Sequence, residues 1–421
     1  MTAVERRRDD PRWQLAGFAL AHVAIFAGLF RGVYTMPYSG TGLYYQYASA
    51  IVAGQVPYRD VFIEYPPFAI VFFTLPRVIG ASFRWYYVWY QVLIVAADLA
   101  VLASLYAARE RSTAPWRVLA PYTALLLAVG PIALQQYDLF PAALTILAVV
   151  CFAQRRDAAA WVLLALGAMT KVYPALLAPV FLMLADGPVA TRIRRAALVF
   201  GVTCIVVLLP LLIVAPSSLE RMIAFHSERG IHLDSVYATI AFAARALGLT
   251  FVGVAVTYRS WNITGPAADM LTRVAMPVLA VALVASYAVV RRHASRLGAD
   301  ARRDVRVVAT SSALVLLAGL VTSKVLSPQY LIWVLPLLPL AVRPHRGLVW
   351  ALFAAAGFLT YYIYPLHYPD LVAHDPWAIA ALAGRNLLLI ALTLIVAGSL
   401  RVAWDSDGSA PGWAVDRAGA A

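Results

Sequence analysis

The chain has 421 residues, 62% of them hydrophobic and only 13% charged, against roughly 25% charged in a soluble domain. Together with a mean hydropathy of +0.76, this reads as an integral membrane protein with no large water-soluble domain. The net charge of +13 does not point to nucleic acid. The basic residues stand in short clusters between apolar runs, where the positive-inside rule places them at the cytoplasmic face, beside anionic lipid heads.

The N-terminus carries Arg6, Arg7 and Arg8 ahead of an apolar run over 14–34. That run is long for a signal-peptide core and no small-residue cleavage site follows it, so it reads as a retained anchor. Further apolar segments lie at 66–80, 85–108, 117–134, 139–153, 158–171, 173–185, 194–214, 235–256, 268–290, 305–323, 329–342, 347–365 and 377–400. Their apolar runs are continuous rather than alternating, which predicts helices and not barrel strands. Treating 66–80 and 235–256 as loop or re-entrant pieces leaves about twelve spans. Both ends are then cytoplasmic, with the arginines at 109 and 111, 155 and 156, 192–195, 291–306, 343 and 346, and 401 inside.

The expected fold is an all-α, multi-spanning helical bundle. It forms a single membrane domain over 1–404, with a large first outer loop at 35–84 and a disordered cytoplasmic tail over 405–421. Within that loop, Leu43, Tyr44, Tyr47, Ile51 and Val52 fall at helical spacing. They predict a short amphipathic helix in the interface, ended by Gly54. Tyr44-Tyr45 and Trp85-Tyr86-Tyr87 read as interfacial aromatics. Cys151 and Cys204 lie in apolar helices without metal-ligand spacing and read as small buried hydrophobes.

Six polar stretches played no part in assigning topology: 58–64, 135–138, 170–174, 226–235, 323–330 and 367–375. All fall at the outer face, which predicts one site. The first holds Arg59, Asp60 and Glu64 between Pro57 and Pro66-Pro67. A carboxylate there can take a proton from an acceptor hydroxyl, and charge near a bilayer is usually retained for function. The bland alternative is a pair of solvated loop charges. Asp60 is the favoured base, because Pro66-Pro67 gives Glu64 the setting of a turn residue.

Gln136, Tyr137 and Asp138 stand at a helix junction, where Asp138 either caps the next helix or meets substrate. Lys171 either snorkels or anchors a lipid phosphate. Around His226, Arg229 offers a planar fork suited to phosphate or sugar hydroxyls. Asp234 or Ser235 can cap the helix that follows. The spacing of His226 and His232 fits no standard metal motif, so no metal or other cofactor is expected. Lys324 and Gln329 flank Pro328, which either frees backbone groups for a ligand or marks a helix corner.

The stretches GQVPYRDVFIEYPP, QQYDLFPAALTILA, ALGAMTKVYPALLAPV, HSERGIHLDSVYATI, SKVLSPQYLIWVLPL and GRNLLLI resemble, in this order, the glycosyltransferase family 87 membrane proteins of the GT-C superfamily. These include polyprenol-phosphate-mannose-dependent mannosyltransferases. The resemblance spans about residues 14–400. It implies a GT-C type bundle and inverting transfer of a hexose, mannose above all, from a polyprenyl-phosphate donor to a lipid or glycan acceptor. It places the reaction at the outer face of the cytoplasmic membrane, with the catalytic carboxylate in the first outer loop. Arg59, Lys171, His226, Arg229, Lys324 and Gln329 are the candidates to hold the donor phosphate, whose charge calls for cations rather than a general acid. Many relatives carry an acid just before the Tyr-Tyr pair. Here Ser39-Gly40-Thr41-Gly42-Leu43 has none, so Asp60 and Glu64 are the only acids of the loop.

Two rival readings stand beside this one. A lipid or sugar transporter would have ionisable groups deep in the bundle, and Asp98 is the residue that argues for it. The absent early acid argues for a non-catalytic relative.

Overall fold

The predicted apolar runs fold as helices, with boundaries close to those read from hydropathy. The computed structural model describes residues 10–30, 40–340 and 346–402. The cluster at Arg6–Arg8, Arg343 and the tail at 405–421 lie outside the described residues. The first helix, Pro11–Ala24, begins with Asp10 accepting from the Arg12 N–H at 2.9 Å and proline at the first helical position.

Six helices among the described residues are long and apolar enough to cross a membrane: Phe83–Ala108, Val189–Val214, Pro266–Ala294, Val305–Thr322, Arg346–Leu366 and Pro376–Arg401. Seven apolar helices of 10–17 residues accompany them. At about 1.5 Å per residue these fall short of a hydrocarbon core roughly 30 Å thick. Ala69–Ile79 and Val236–Ala246, from the two stretches expected as loop or re-entrant pieces, are among the seven.

Val305–Thr322 is the central helix, with every residue from Val307 to Leu320 buried. A helix apolar all round needs neighbours all round. Pro266–Ala294 and Pro376–Val402 pack on it, and Leu139–Ala153 packs between Phe83–Ala108 and Asp157–Thr170. Val189–Val214 is the opposite case. It is apolar and exposed along most of its length, as a helix at the lipid boundary must be.

Two expectations change. The chain is not all helix. Gly253–Thr257 (β1) and Ser260–Thr264 (β2) form an antiparallel hairpin, with Val254 opposite Ile263 and Val256 opposite Trp261. Tyr258 and Arg259 between them both have positive φ, 50° and 54°, the geometry of a two-residue hairpin turn. The aromatics are also not interfacial as a group. Tyr44, Tyr86 and Tyr87 are buried while Trp85 is exposed. The helix Gly40–Val52 turns Tyr44 and Tyr47 inward onto Ala69–Ile79, and Tyr44 stacks on Phe73 at 4.4 Å. Gly54 follows it with φ +90°.

Asp98 is buried against the first helix. Its Oδ2 lies 2.7 Å from His22 Nδ1 and its Oδ1 accepts from the Tyr122 hydroxyl at 2.7 Å. At the arginine-rich end of the bundle, buried Arg303 donates to Asp157 at 2.8 Å and to Asp186 at 2.9 Å. Arg155 joins Asp186 and Asp300 to the same network.

Candidate active site

The loop after Gly40–Val52 folds back on itself, and this decides which carboxylate faces inward. Tyr58 takes a left-handed conformation, φ 66°. Its N–H donates to the Val61 carbonyl at 2.9 Å and its hydroxyl to the Tyr65 carbonyl at 2.6 Å. Its own carbonyl accepts from Arg221 of the helix Ser218–Glu228.

Asp60 is left at the surface. Arg59 Nε and Nη2 donate to its two oxygens at 2.8 and 3.0 Å, and the Val56 N–H donates at 2.8 Å. The Arg59 hydrogen bonds, then the Val56 N–H, hold its carboxyl at about 2. A carboxylate satisfied by its own turn is a weak base.

Glu64 is turned inward and is 6% exposed. Its Oε2 accepts from the Tyr47 hydroxyl and, at 2.8 Å, from Arg259 Nη1 at the hairpin tip. The Arg259 guanidinium lies over the rings of Tyr47 and Phe62, at 5.4 and 5.9 Å. Burial pushes the Glu64 carboxyl up to about 7, with the Arg229 charge opposing. This is the range in which a general base works. The geometry therefore favours Glu64 over Asp60.

Three more predicted residues belong to the same cluster. His226 Nε2 donates to the Glu64 carbonyl at 3.0 Å. Burial first, then the charges of Arg229, Lys171 and Lys324, holds its imidazole below the usual range, with the carbonyl opposing. Arg229 Nε donates to Ser260 Oγ of the hairpin at 2.9 Å. Lys324 Nζ donates to the Ser227 carbonyl at 2.6 Å, and burial and then Arg229 lower its ammonium.

Asp138 and Lys171 form a second group, one aromatic layer away. Asp138 makes no side-chain cap to Leu139–Ala153. Instead its Oδ1 accepts from Lys171 Nζ at 2.5 Å and from Trp333 Nε1 at 2.6 Å. The Lys171 ammonium is caged by Tyr137, Tyr330 and Trp333, 4.7–5.1 Å from the ring centres. It neither snorkels nor stands free for a phosphate, because a buried carboxylate and three rings hold it. Gln136 Oε1 accepts from the Tyr44 hydroxyl at 3.0 Å, and Tyr137 meets Tyr65 edge-on at 4.9 Å. Both are packing residues beneath the Glu64 loop. Gln329 lies half-buried on the turn Pro328–Tyr330.

A third group was legible only in fragments. Ser235 caps Val236–Ala246, its Oγ accepting from the Ala238 N–H at 3.1 Å. Asp234 is free of that task. The Tyr368 hydroxyl donates to its Oδ2 at 3.0 Å, and the fully buried Arg385 donates to its carbonyl at 2.6 Å. Asn386 Nδ2 donates to the Ser235 carbonyl at 3.2 Å. The 226–235 stretch is thus bolted to the last long helix.

The structure brings together Glu64, His226, Arg229 and Lys324. It sets Arg59 with Asp60 outside that group and ties Lys171 to Asp138. Arg259, Tyr47, Arg221 and Arg385 were missed. Arg259 had a signal: alternating Val252, Val254 and Val256 before it, Trp261 and Ile263 after it, and a cation on an outer loop. Among the described residues, no three of His, Cys, Asp or Glu stand together as metal ligands.

The glycosyltransferase family 87 model matches residues 62–323, from the loop that carries Glu64 to the end of the central helix. The chain belongs to glycosyltransferase family 87. No curated protein matches its sequence. Among solved structures it is similar to ArnT from Cupriavidus metallidurans, in the apo state and bound to undecaprenyl phosphate. Both share 14% identity over 92% of this chain and 78% of theirs, with TM-scores of 0.47 and 0.46. The protein is a multi-pass membrane glycosyltransferase, and Glu64, His226, Arg229 and Arg259 lie within the matched region.

Proposed function

We propose that this glycosyltransferase transfers a hexose, mannose in the first instance, from a polyprenyl-phosphate donor to a lipid or glycan acceptor, with inversion. The reaction is assigned to the outer face of the cytoplasmic membrane, and Glu64 is the base. The observation that carries this reading is the buried Glu64 carboxylate, raised to about 7, in the same cluster as Arg259, Arg229 and Lys324.

In this reading the acceptor hydroxyl attacks the anomeric carbon from the side opposite the phosphate and gives its proton to Glu64. The bond from the anomeric carbon to the phosphate oxygen breaks, and polyprenyl phosphate leaves with the electron pair. It needs cations rather than an acid, and preorganised cations away from bulk water are worth most there. Arg229 and Lys324 hold it, with His226 and Gln329 beside them. Arg59 and Lys171 drop out, because each is paired with its own carboxylate. An apolar groove lined by Leu212, Leu219 and Ile223 ends at Ser227, whose carbonyl Lys324 holds, and offers a place for the lipid tail.

Asp98 no longer favours a transporter, since both of its oxygens are engaged by His22 and Tyr122. The test is transfer from a synthetic polyprenyl-phosphate mannose by purified protein in liposomes. Product that needs the Glu64 carboxylate supports the reading. A wild-type protein that consumes no donor, with any acceptor offered, would sink it.

A further inference from the structure

A second polar cluster lies at the opposite end of the bundle from Glu64. The crevice between the start of Val189–Val214, the end of Pro266–Ala294 and the end of Ala178–Leu184 has a volume of about 410 Å³. Arg192, Arg291 and Arg302 converge on it, and Leu182, Met183 and Ile193 form apolar walls. We propose that this crevice binds the phosphate of an anionic lipid.

Three observations carry the assignment. First, two of the guanidinium groups keep an unused donor. Arg192 Nη1 is pinned to the Leu182 and Ala185 carbonyls at 2.9 and 3.2 Å. Its Nε, like that of Arg302, is buried with no hydrogen-bond partner among the described residues. A buried donor left unmade is costly, so an anion drawn up to either guanidinium is favoured.

Second, among the described residues no ion pair joins these arginines to an acid. Asp157, Asp186 and Asp300 are engaged by Arg155, Arg195 and Arg303. None of them pairs with Arg192, Arg291 or Arg302. Third, the walls suit an acyl chain. Ile193 and Val189 are more than half exposed on a helix that faces lipid, so a headgroup in the crevice keeps its tails in the bilayer. Basic pockets between helices at this end of a bundle are natural headgroup sites, and guanidinium suits phosphate.

The test uses the full-length protein released from vesicles of phosphatidylglycerol and phosphatidylcholine, with retained lipid read by native mass spectrometry. The wild type should retain phosphatidylglycerol in preference. The preference should fall about fivefold in R291Q and about 100-fold in R192Q/R291Q/R302Q, at roughly a factor of five per arginine near the surface. R194Q, an exposed arginine outside the crevice, should leave it unchanged. If the triple variant does not fold, R291Q decides alone, because that side chain is exposed. An unaltered preference in R291Q, or an equal fall in R194Q, overturns the site. Displacement of the lipid by inorganic phosphate overturns the lipid assignment in favour of a soluble anion.

Discussion

Arg259 Nη1 stands 2.8 Å from Glu64 Oε2 although 195 residues separate the two. The hairpin exists at the site because of its turn. Two non-glycine residues in left-handed conformation, Tyr258 and Arg259, are costly. They place a guanidinium where only tertiary folding could bring it, over the rings of Tyr47 and Phe62 and beside a buried acid. Burial outweighs its own backbone hydrogen bond and the more distant Arg229 charge, and the carboxyl settles at about 7.

That balance predicts a pH profile. Transfer should rise about tenfold per pH unit below about 7 and level off above it, as for a base that must be ionised. The measurement is kcat/KM against pH in liposomes, and a flat profile from about pH 5 to 9 would exclude Glu64. Stability should run the other way. The folded value lies above the ordinary 4.5, so the Glu64 contribution is complete below about 4.5 and is lost as pH rises through about 7. The difference corresponds to about 3 kcal/mol. Glu64→Gln should remove this part of the decline, visible as a thermal midpoint above wild type at about pH 8.

The two loop carboxylates should separate cleanly. Glu64→Gln should lower turnover by about 10²–10⁴ with the fold intact. Asp60→Asn should lower it by less than about tenfold, since Asp60 is committed to Arg59 and the Val56 N–H. Turnover at matched expression tests both. The reverse order of effects would restore Asp60 as the base.

Arg259 is a positioning residue, and its role has a signature that mere packing lacks. Arg259→Ala should move the pH midpoint of turnover upward, because the carboxylate loses its nearest positive charge. Arg259→Lys should keep most of the midpoint while losing some rate, the planar fork being gone. A midpoint unmoved in Arg259→Ala would reduce the contact to packing.

Asp138 and Lys171 should behave as a buried pair. Lys171→Met leaves a fully buried carboxylate without its cation, and such losses cost about 3–5 kcal/mol. Lys171→Met with Asp138→Asn should recover most of the melting temperature. A double-mutant cycle in detergent reads the coupling. No coupling would mean that the aromatic cage alone holds Lys171.

Sidedness can be checked with a membrane-impermeant thiol reagent. Asp60→Cys should react only from outside and Arg194→Cys only from inside. Labelling of both from one side would break the assignment of the two polar clusters to opposite faces.

Much of this protein follows from sequence order alone. Continuous apolar runs place the helices to within a few residues, because a backbone in lipid has to satisfy its hydrogen bonds internally. The placement of polar stretches between those runs already gathers Glu64, His226, Arg229 and Lys324 at one end of the bundle. The choice between Asp60 and Glu64 was not legible. It depends on a left-handed turn at Tyr58 and on burial, neither of which is a property of four residues in a row. The partner of Lys171 was hidden for the same reason, since a lysine at a helix end looks alike whether it meets lipid or a carboxylate 33 residues away. Arg385 looks out of place in an apolar helix until Asp234 is seen opposite it. Periodicity and charge order are local, one-dimensional signals, and they determined the helices and the end at which the polar groups collect. Desolvation and pairing depend on what the folded chain places within a few ångströms, and they alone decided which carboxylate is raised to about 7 and which cations of the cluster have no carboxylate partner among the described residues.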